Sequence, residues 1–219
     1  MNVRRESVVV GGKDFPRHVR GIHGWIDGPM ARLVDPGELR RMAIASSIII
    51  PPQFFVATAD HETGFCQNEV DTEPGGFVSK GLFQVSDDEA AEVGHAGADL
   101  LDWVISTRVF ARLQEGRLRR ILEHVQERLP DVWAYLGLAH NEGLGTWDAC
   151  GRGALGTLFR FGMDWERYKA RNFGAAQVRL SRASSAEERS SATHEVERVR
   201  RISAYGDDMI NGGDHWSSA

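Results

Sequence analysis

Hydrophobic and polar residues recur with the 3.6-residue period of amphipathic helices in several stretches of this chain. The first stretch follows residues 35–38, Asp-Pro-Gly-Glu, which offer a helix N-cap, a proline at the first helical position and an acidic first turn. We expect a helix from there to about Ile49. A second, largely buried helix is expected from Phe54 to a stop at Gly64, with Glu62 on its last turn.

The helical period then breaks and returns. Between residues 65 and 85 glycines and acidic residues predominate, which predicts a long structured loop or a small β-hairpin. From residue 87 to residue 129 the period returns in two stretches, whose polar face is rich in arginine and is expected to be solvated. Further helices are expected from Val132 to an end near residues 141–145, in a short stretch that Asp164 caps and that runs through Arg171, and around residues 196–202.

These elements divide the chain into an irregular N-terminal arm over residues 1–34, one domain over residues 35–205 and a tail over residues 206–219. The polar stretch 184–191 is expected to be a connector before the last helix. Six or seven helices and at most one small hairpin define a mainly α fold. A length of 219 residues suits one full-size domain that can enclose a cleft.

Composition narrows the class of protein. With 42% hydrophobic and 26% charged residues, the chain matches folded globular proteins rather than disordered or disulfide-framework chains. The net charge of -5 gives no general attraction to nucleic acid, so we expect no nucleic-acid partner. No apolar stretch approaches the ~20 residues that span a bilayer, and residues 1–20 lack the apolar centre of a secretory signal. We therefore expect no membrane span and no signal peptide.

Cofactor and metal motifs are missing from the sequence. There is no phosphate-binding loop, dinucleotide-binding glycine pattern or Cys-x-x-Cys pair, and no second histidine follows His61 and Glu62 at the spacing of a zinc-binding helix. We therefore expect no cofactor and no metal. Cys66 and Cys150 can form one disulfide, although two buried thiols are the more frequent arrangement.

Glu62 is the first candidate for chemistry. It ends a helix whose other face is apolar, and an acidic, glycine-rich segment follows it. A carboxyl group beside apolar side chains has its charged form disfavoured and can act as a general acid near neutral pH. The ordinary alternative is a solvated glutamate at a helix end, and spacing alone does not separate the two.

Three ordered motifs add a resemblance. Glu62-Thr63 is followed by Gly-Leu-Phe-Gln-Val at residues 81–85 and by Ala-His-Asn-Glu-Gly at residues 139–143. The set resembles the signatures of the lysozyme-like superfamily, in particular goose-type lysozymes and soluble lytic transglycosylases. Those families carry Glu-Ser, then Gly-Leu-Met-Gln-Val or Gly-Leu-Met-Gln-Ile, then Ala-Tyr-Asn-Ala-Gly. The separation of 19 residues between Glu62 and Gly81 suits the goose-type branch, and the resemblance covers roughly residues 38–205.

The resemblance implies a mainly α, lysozyme-like domain with a small hairpin beside the cleft. It implies cleavage of the β-1,4 bond between N-acetylmuramic acid and N-acetylglucosamine, with Glu62 as the general acid. Peptidoglycan strands would be the partner, at the bacterial cell wall, in the periplasm, outside the cell or delivered by a phage. The implied substrate-binding residues are Gly81, Leu82, Phe83, Gln84, His140 and Asn141, and Trp147, beside the third motif, is our candidate for stacking on a sugar.

The fate of the cleaved sugar depends on a second carboxylate. A lytic transglycosylase uses the 6-hydroxyl of muramic acid, whereas an inverting lysozyme places a water with a carboxylate about 6.5–9.5 Å from the acid. Goose-type enzymes have an aspartate directly after the second motif, where this chain has Ser86. Asp71 and Asp87 are our candidates, with Glu73 and Asp88 beside them. Asp87 and Asp88 are equally natural as N-caps of the helix that follows.

Two other functions stay open. His140 stands where those families commonly have a tyrosine that contacts the acid, and a protonated imidazole would favour ionisation of that acid. Together with Ser86, this fits a non-catalytic glycan-binding or structural module that kept the fold. A chitinase or chitosanase type of glycosidase is the third reading, because helical glycosidases of this superfamily share the single-glutamate arrangement. The sequence gives no indication of oligomeric state.

Overall fold

The structure is a computed structural model that describes residues 8–10, 13–15, 18–21, 24–27, 31–72, 78–123, 132–142 and 165–210. The helices in this part of the chain are α1 (Pro36–Ser46), α2 (Pro52–Thr63), α3 (Asp87–Glu92), α4 (Trp103–Leu122), α5 (Val132–Glu142), α6 (Trp165–Arg182) and α7 (Ala186–Ile210). The strands are β1 (Val8–Val10), β2 (Lys13–Phe15), β3 (His18–Gly21), β4 (Gly24–Asp27), β5 (Val70–Thr72), β6 (Val78–Lys80) and β7 (Val85–Ser86). The described residues are mostly helical, which confirms a mainly α protein.

The chain forms two compact units whose boundary falls within α4, between Glu115 and Gly116. The first unit contains α1 to α3 and all seven described strands, and the second contains α5 to α7. Among the described residues, no helix is long and apolar enough to cross a membrane.

The N-terminal segment is not the irregular arm that we predicted from the sequence. Its strands form two antiparallel hairpins, β1 with β2 and β3 with β4. The sequence carried a signal for the first hairpin, because the valines of β1 favour a strand and Gly11-Gly12 is a two-residue pair typical of tight hairpin loops. Strands of three or four residues are too short to show a period, which is why the search for periodicity missed them.

Helices α1 and α2 begin and end for reasons visible in the sequence. The Asp35 side chain accepts a hydrogen bond from the Glu38 amide at 2.8 Å, as expected for an N-cap. Helix α1 ends three residues earlier than predicted, because the Ser47 hydroxyl accepts the amides of Ile49 and Ile50 and turns the chain out of the helix. Helix α2 ends at the predicted glycine, Gly64, whose φ of 56° is left-handed.

The core of the first unit is aromatic. Phe55, Phe83 and Phe110 are fully buried, and the rings of Phe83 and Phe110 stack with centroids 4.2 Å apart. Phe55 meets both of these rings edge-on. Because the three residues come from α2, the second motif and α4, their contacts fasten the motif between the two helices.

The segment after α2 is richer in strands than predicted, and the segment after residue 87 is less helical. Strands β5, β6 and β7 form one antiparallel sheet, in that order. The helical stretch expected from residue 87 is interrupted after α3, where Gly94 and Gly97 have positive φ. Helix α4 then begins at Trp103, with the Asp102 carboxylate accepting the amides of Val104 and Ile105.

The second unit packs α7 against both α5 and α6. Its described core includes Ala176, Val196 and Val199, with Phe173 and Leu180 packed beside them.

Both C-terminal helices are longer than predicted. Helix α6 continues to Arg182 rather than to about Arg171, and α7 begins at Ala186, so most of the stretch 184–191 is helix and not a connector. Helix α7 also continues to Ile210, beyond the expected start of the tail. The serines misled the prediction, since Ser184 and Ser185 cap α7 through Glu188 while Ser190 and Ser191 are exposed helix residues.

Candidate functional site

Glu62 lies on the last turn of α2, as the sequence predicted, and is partly exposed. The next residue, Thr63, is fully buried. The helix then ends in two successive left-handed residues, Gly64 and Phe65, and the Phe65 amide donates to the Ala59 carbonyl at 3.1 Å. A non-glycine residue with positive φ is uncommon, so the chain direction directly after Glu62 is set by the surrounding fold.

The Thr63 hydroxyl connects the first motif to the second. Its Oγ1 lies 3.2 Å from the Ala59 carbonyl oxygen and 3.1 Å from the Leu82 carbonyl oxygen. The hydroxyl has one proton to donate, and both acceptors are buried backbone groups that need donors. Residues that are 19 positions apart in the sequence are thereby brought together beside Glu62.

The second motif is a tight turn that starts at a glycine. Gly81 has a φ of 72°, and a Cβ added to it would lie 1.9 Å from the Leu100 carbonyl oxygen, so no other residue fits without movement of the backbone. The Gly81 carbonyl accepts from both the backbone amide and the side-chain Nε2 of Gln84, at 3.1 and 2.9 Å. Gln84 itself has a positive φ of 48°.

Two buried polar atoms beside this turn have no hydrogen-bond partner among the described residues. They are Gln84 Oε1 and Ser106 Oγ. Ser106 is fully buried, and its Oγ is 3.5 Å from the position that a Cβ on Gly81 would take. Native proteins leave few such groups unsatisfied, and where they do, the group often belongs to a functional site.

The other predicted residues of this motif are buried. The side chains of Leu82 and Phe83 are completely enclosed in the core. Neither side chain is therefore exposed to a ligand at the turn in this structure.

The two candidates for a second carboxylate have local partners. Asp87 is the first residue of α3, its side chain is 64% exposed, and it forms an ion pair with Lys80. Asp71 is exposed on β5, and its Oδ1 accepts the Thr72 amide at 2.7 Å. Glu73, also named from the sequence, lies outside the described residues.

The residue that replaces the goose-type aspartate has a structural role. Ser86 is the N-cap of α3, and with Glu89 it forms a capping box in which each side chain accepts the other residue's amide. One interpretation of the sequence made Asp87 and Asp88 the N-caps of this helix. The structure instead places both residues in its first turn. Their negative charges suit the positive end of the helix dipole.

The third motif lies in the second unit. His140 and Asn141 are on the last turn of α5, and the Nδ1 of His140 lies 3.1 Å from Nη1 of Arg117 on α4. Trp147 lies outside the described residues.

The structure describes only the first of the two cysteines. Cys66 is buried, and its Sγ lies 3.1 Å from Oδ1 of Asn68. Cys150 lies outside the described residues, so pairing of the two cysteines stays a prediction.

Sequence reasoning missed the parts played by Thr63, Ser106 and Arg117. For Thr63 a signal existed, because those families have serine there, with the same hydroxyl. For Arg117 the pattern was misleading: the arginine-rich face was expected to be solvated, but Arg117 is only 8% exposed. Nothing in the sequence marked Ser106.

Among the described residues, no three or more histidine, cysteine, aspartate or glutamate side chains are grouped so that they could hold a metal ion. No protein-family model, curated protein or solved structure matches this chain. The function must therefore be argued from the motifs and from the geometry of the residues themselves.

Proposed function

We propose that the protein is a peptidoglycan-cleaving glycosidase with Glu62 as its general acid. The observation that carries the proposal is the hydrogen bond from the Thr63 hydroxyl to the Leu82 carbonyl. It joins two segments that resemble two ordered lysozyme-like signatures at the point where the acid sits. An accidental resemblance of two short sequences would give no reason for the segments to meet in space.

The second motif, which the Thr63 hydroxyl joins to the segment of Glu62, contains an unsatisfied acceptor. Gln84 uses Nε2 on the Gly81 carbonyl, which fixes the amide plane and leaves Oε1 as an acceptor without a partner among the described residues. Glu62 would protonate the glycosidic oxygen as the bond to C1 breaks, which gives an oxocarbenium-like sugar.

We further propose that the cleaved sugar is captured by its own 6-hydroxyl. Asp71 and Asp87 are both exposed and have local partners, which makes either one a poor candidate to hold an attacking water. In the transglycosylase route, the bond from C1 to the leaving oxygen breaks and a bond from C1 to O6 forms. The 6-hydroxyl proton returns to the Glu62 carboxylate. The step therefore consumes no water and needs no second carboxylate.

The test is mass spectrometry of soluble fragments released from purified peptidoglycan. The wild-type protein is compared with Glu62→Gln and with Glu92→Gln, a matched control at an exposed glutamate on α3. We expect fragments with 1,6-anhydro ends, released about 10²–10⁴ times more slowly by Glu62→Gln and at the wild-type rate by Glu92→Gln.

Other outcomes separate the alternatives. Fragments one water heavier would indicate hydrolysis, and Asp71→Asn and Asp87→Asn would then be tested as the second carboxylate. Full activity of Glu62→Gln would contradict the role of this residue. Binding to the glycan without any release would favour the non-catalytic module, and preferential cleavage of chitin oligomers would favour a chitinase-type enzyme.

A further inference from the structure

Arg117 and His140 form a partly buried contact within the second unit. Arg117 is only 8% exposed, and its Nη1 lies 3.1 Å from Nδ1 of His140 on α5. Residues of this unit begin at Gly116, so both partners belong to the same compact body.

The chemistry of the two side chains fixes the protonation of the imidazole. A guanidinium group has five N–H donors, has no acceptor and does not lose its proton in proteins. At this distance Nδ1 of His140 must therefore accept, with its lone pair directed at the arginine. The single proton of the neutral imidazole is then on Nε2.

The two other states of His140 conflict with this contact. The tautomer with its proton on Nδ1 would direct an N–H at the N–H of the guanidinium. The imidazolium would do the same, because both of its ring nitrogens carry protons.

We propose that Arg117 is a positioning residue that holds His140 neutral, as an N–H donor at Nε2. Any role of this N–H donor in catalysis rests on the proposed function. His140 stands at the position where the related families have tyrosine, and a tyrosine hydroxyl is likewise a neutral donor. A neutral imidazole with its proton on Nε2 is closer in hydrogen-bonding character to that hydroxyl than an imidazolium is.

The first test is spectroscopic and needs no turnover. In the full chain with ¹⁵N-labelled histidine and arginine, two-bond ¹H–¹⁵N correlation spectra at pH 6.5 report which ring nitrogen of His140 carries a proton, with His140→Gln for assignment. We expect a proton on Nε2 only, and a scalar coupling between Nδ1 of His140 and an arginine Nη. A proton on Nδ1 in the wild-type protein would overturn the proposal, whatever the variants do.

Variants of the arginine then test its part. In Arg117→Met we expect a proton on Nδ1 of His140 to become detectable, whereas Arg117→Lys keeps a cationic donor and should restore most of the wild-type pattern. Arg119→Met removes an exposed arginine from the same helix and should change nothing. An Arg117→Met protein that is folded by circular dichroism and keeps the wild-type pattern would contradict the proposal.

A double-mutant cycle tests the link to activity. We expect Arg117→Met to lower kcat about tenfold with little change in KM, and His140→Tyr to retain activity. In the His140→Tyr background Arg117→Met should no longer lower kcat. A purely structural role of Arg117 would persist in that background and would refute positioning through His140. A wild-type protein with the expected tautomer but no turnover would instead refute the proposed function alone.

Discussion

The turn at residues 81–85 and the α6–α7 hairpin are stabilised by different kinds of contact. In the turn, Gly81 packs against the Leu100 carbonyl, and backbone hydrogen bonds and buried rings surround the motif. In the hairpin, most of the residues whose burial is described are exposed, and one buried cluster consists of Ala176, Val196 and Val199. Capping hydrogen bonds and ion pairs, such as that of Lys169 with Asp207, supply much of the remaining contact.

This difference predicts which regions of the protein tolerate amino-acid substitutions. A turn fixed by backbone contacts cannot relax by moving a side chain, so its atoms stay in place to within fractions of an ångström. Binding and catalytic groups need that accuracy. We expect a hairpin of capped helices to tolerate substitutions at lower cost, since a single ion pair near the surface or a single cap contributes only about 0–2 kcal/mol. We therefore expect substitutions near Glu62 to cost more than substitutions in the hairpin.

The largest effect is expected for Gly81→Ala. The left-handed φ costs a residue with a Cβ about 1–2 kcal/mol, and the contact with the Leu100 carbonyl adds about 1–3 kcal/mol of overpacking. Gly97→Ala is the matched control, because Gly97 has a similar φ of 76° but no atom within 4 Å of the added Cβ. Denaturant unfolding should give a loss of about 2–5 kcal/mol for Gly81→Ala and about 1–2 kcal/mol for the control. Equal losses would mean that the turn is no more constrained than an open loop.

At one position of the α6–α7 hairpin we expect a substitution to be costly, in contrast to the rest of the hairpin. A Cβ on Gly206 would lie 2.0 Å from Cζ2 of the buried Trp165, whereas a Cβ on Gly174 meets nothing within 4 Å. We expect Gly206→Ala to destabilise the protein by about 1–3 kcal/mol through overpacking. Gly174→Ala should stabilise it by about 0.5–1 kcal/mol, because alanine favours the helix. Thermal unfolding of both variants checks the signs, and a gain in both would show that the tryptophan moves freely.

Thr63→Val tests the hydrogen bond between the first two motifs. The substitution keeps the shape but removes the donor to the buried Leu82 carbonyl, at an expected cost of about 1–2 kcal/mol. Thr58→Val is the control, since the Thr58 hydroxyl donates to the Phe54 carbonyl of its own helix, and should cost about 0–1 kcal/mol. If the two variants unfold at the same denaturant concentration, the link between the motifs does not contribute to stability.

The smallest effect is a pH dependence at the start of α7. Hydrogen bonds from the Ser184 hydroxyl and from the Ser184 and Ser185 amides lower the pKa of Glu188. Its contribution is therefore fully present above the ordinary glutamate pKa and is lost as the pH falls through the lower, folded-state pKa. The difference in unfolding midpoint between wild type and Glu188→Gln should shrink as the pH falls. Glu187→Gln, which removes the neighbouring charge, serves as the control, and the same pH profile in both variants would contradict the assignment.

Local sequence signals predicted much of the fold. The cap at Asp35 and the stop at Gly64 were predictable because each depends on a residue type at one position of a helix. The continuation of α6 and α7 was not, because exposed serines tolerate helix or loop and tertiary packing decides between them.

The candidate site was predictable in its residues but not in its connections. Glu62 and Gln84 could be named from motifs, yet the sequence did not say that Thr63 would bond to Leu82. Periodicity also cannot separate a solvated arginine from a buried one such as Arg117, since both occupy the polar face of a helix in the pattern. Gly81 and Gly97 look alike in the sequence, and only the three-dimensional contacts of Gly81 make it different.

The Gly81 turn also has a genetic consequence. Every single-base change of a glycine codon that alters the residue introduces a side chain with a Cβ or ends the chain. At codon 81 each such product would place a carbon against the Leu100 carbonyl, so this codon has no neutral missense neighbour. At codon 97 a side chain with a Cβ has open space around it and meets only the cost of the left-handed φ. In a collection of random single-base variants selected for folded protein, codon 81 should therefore keep glycine more strictly than codon 97.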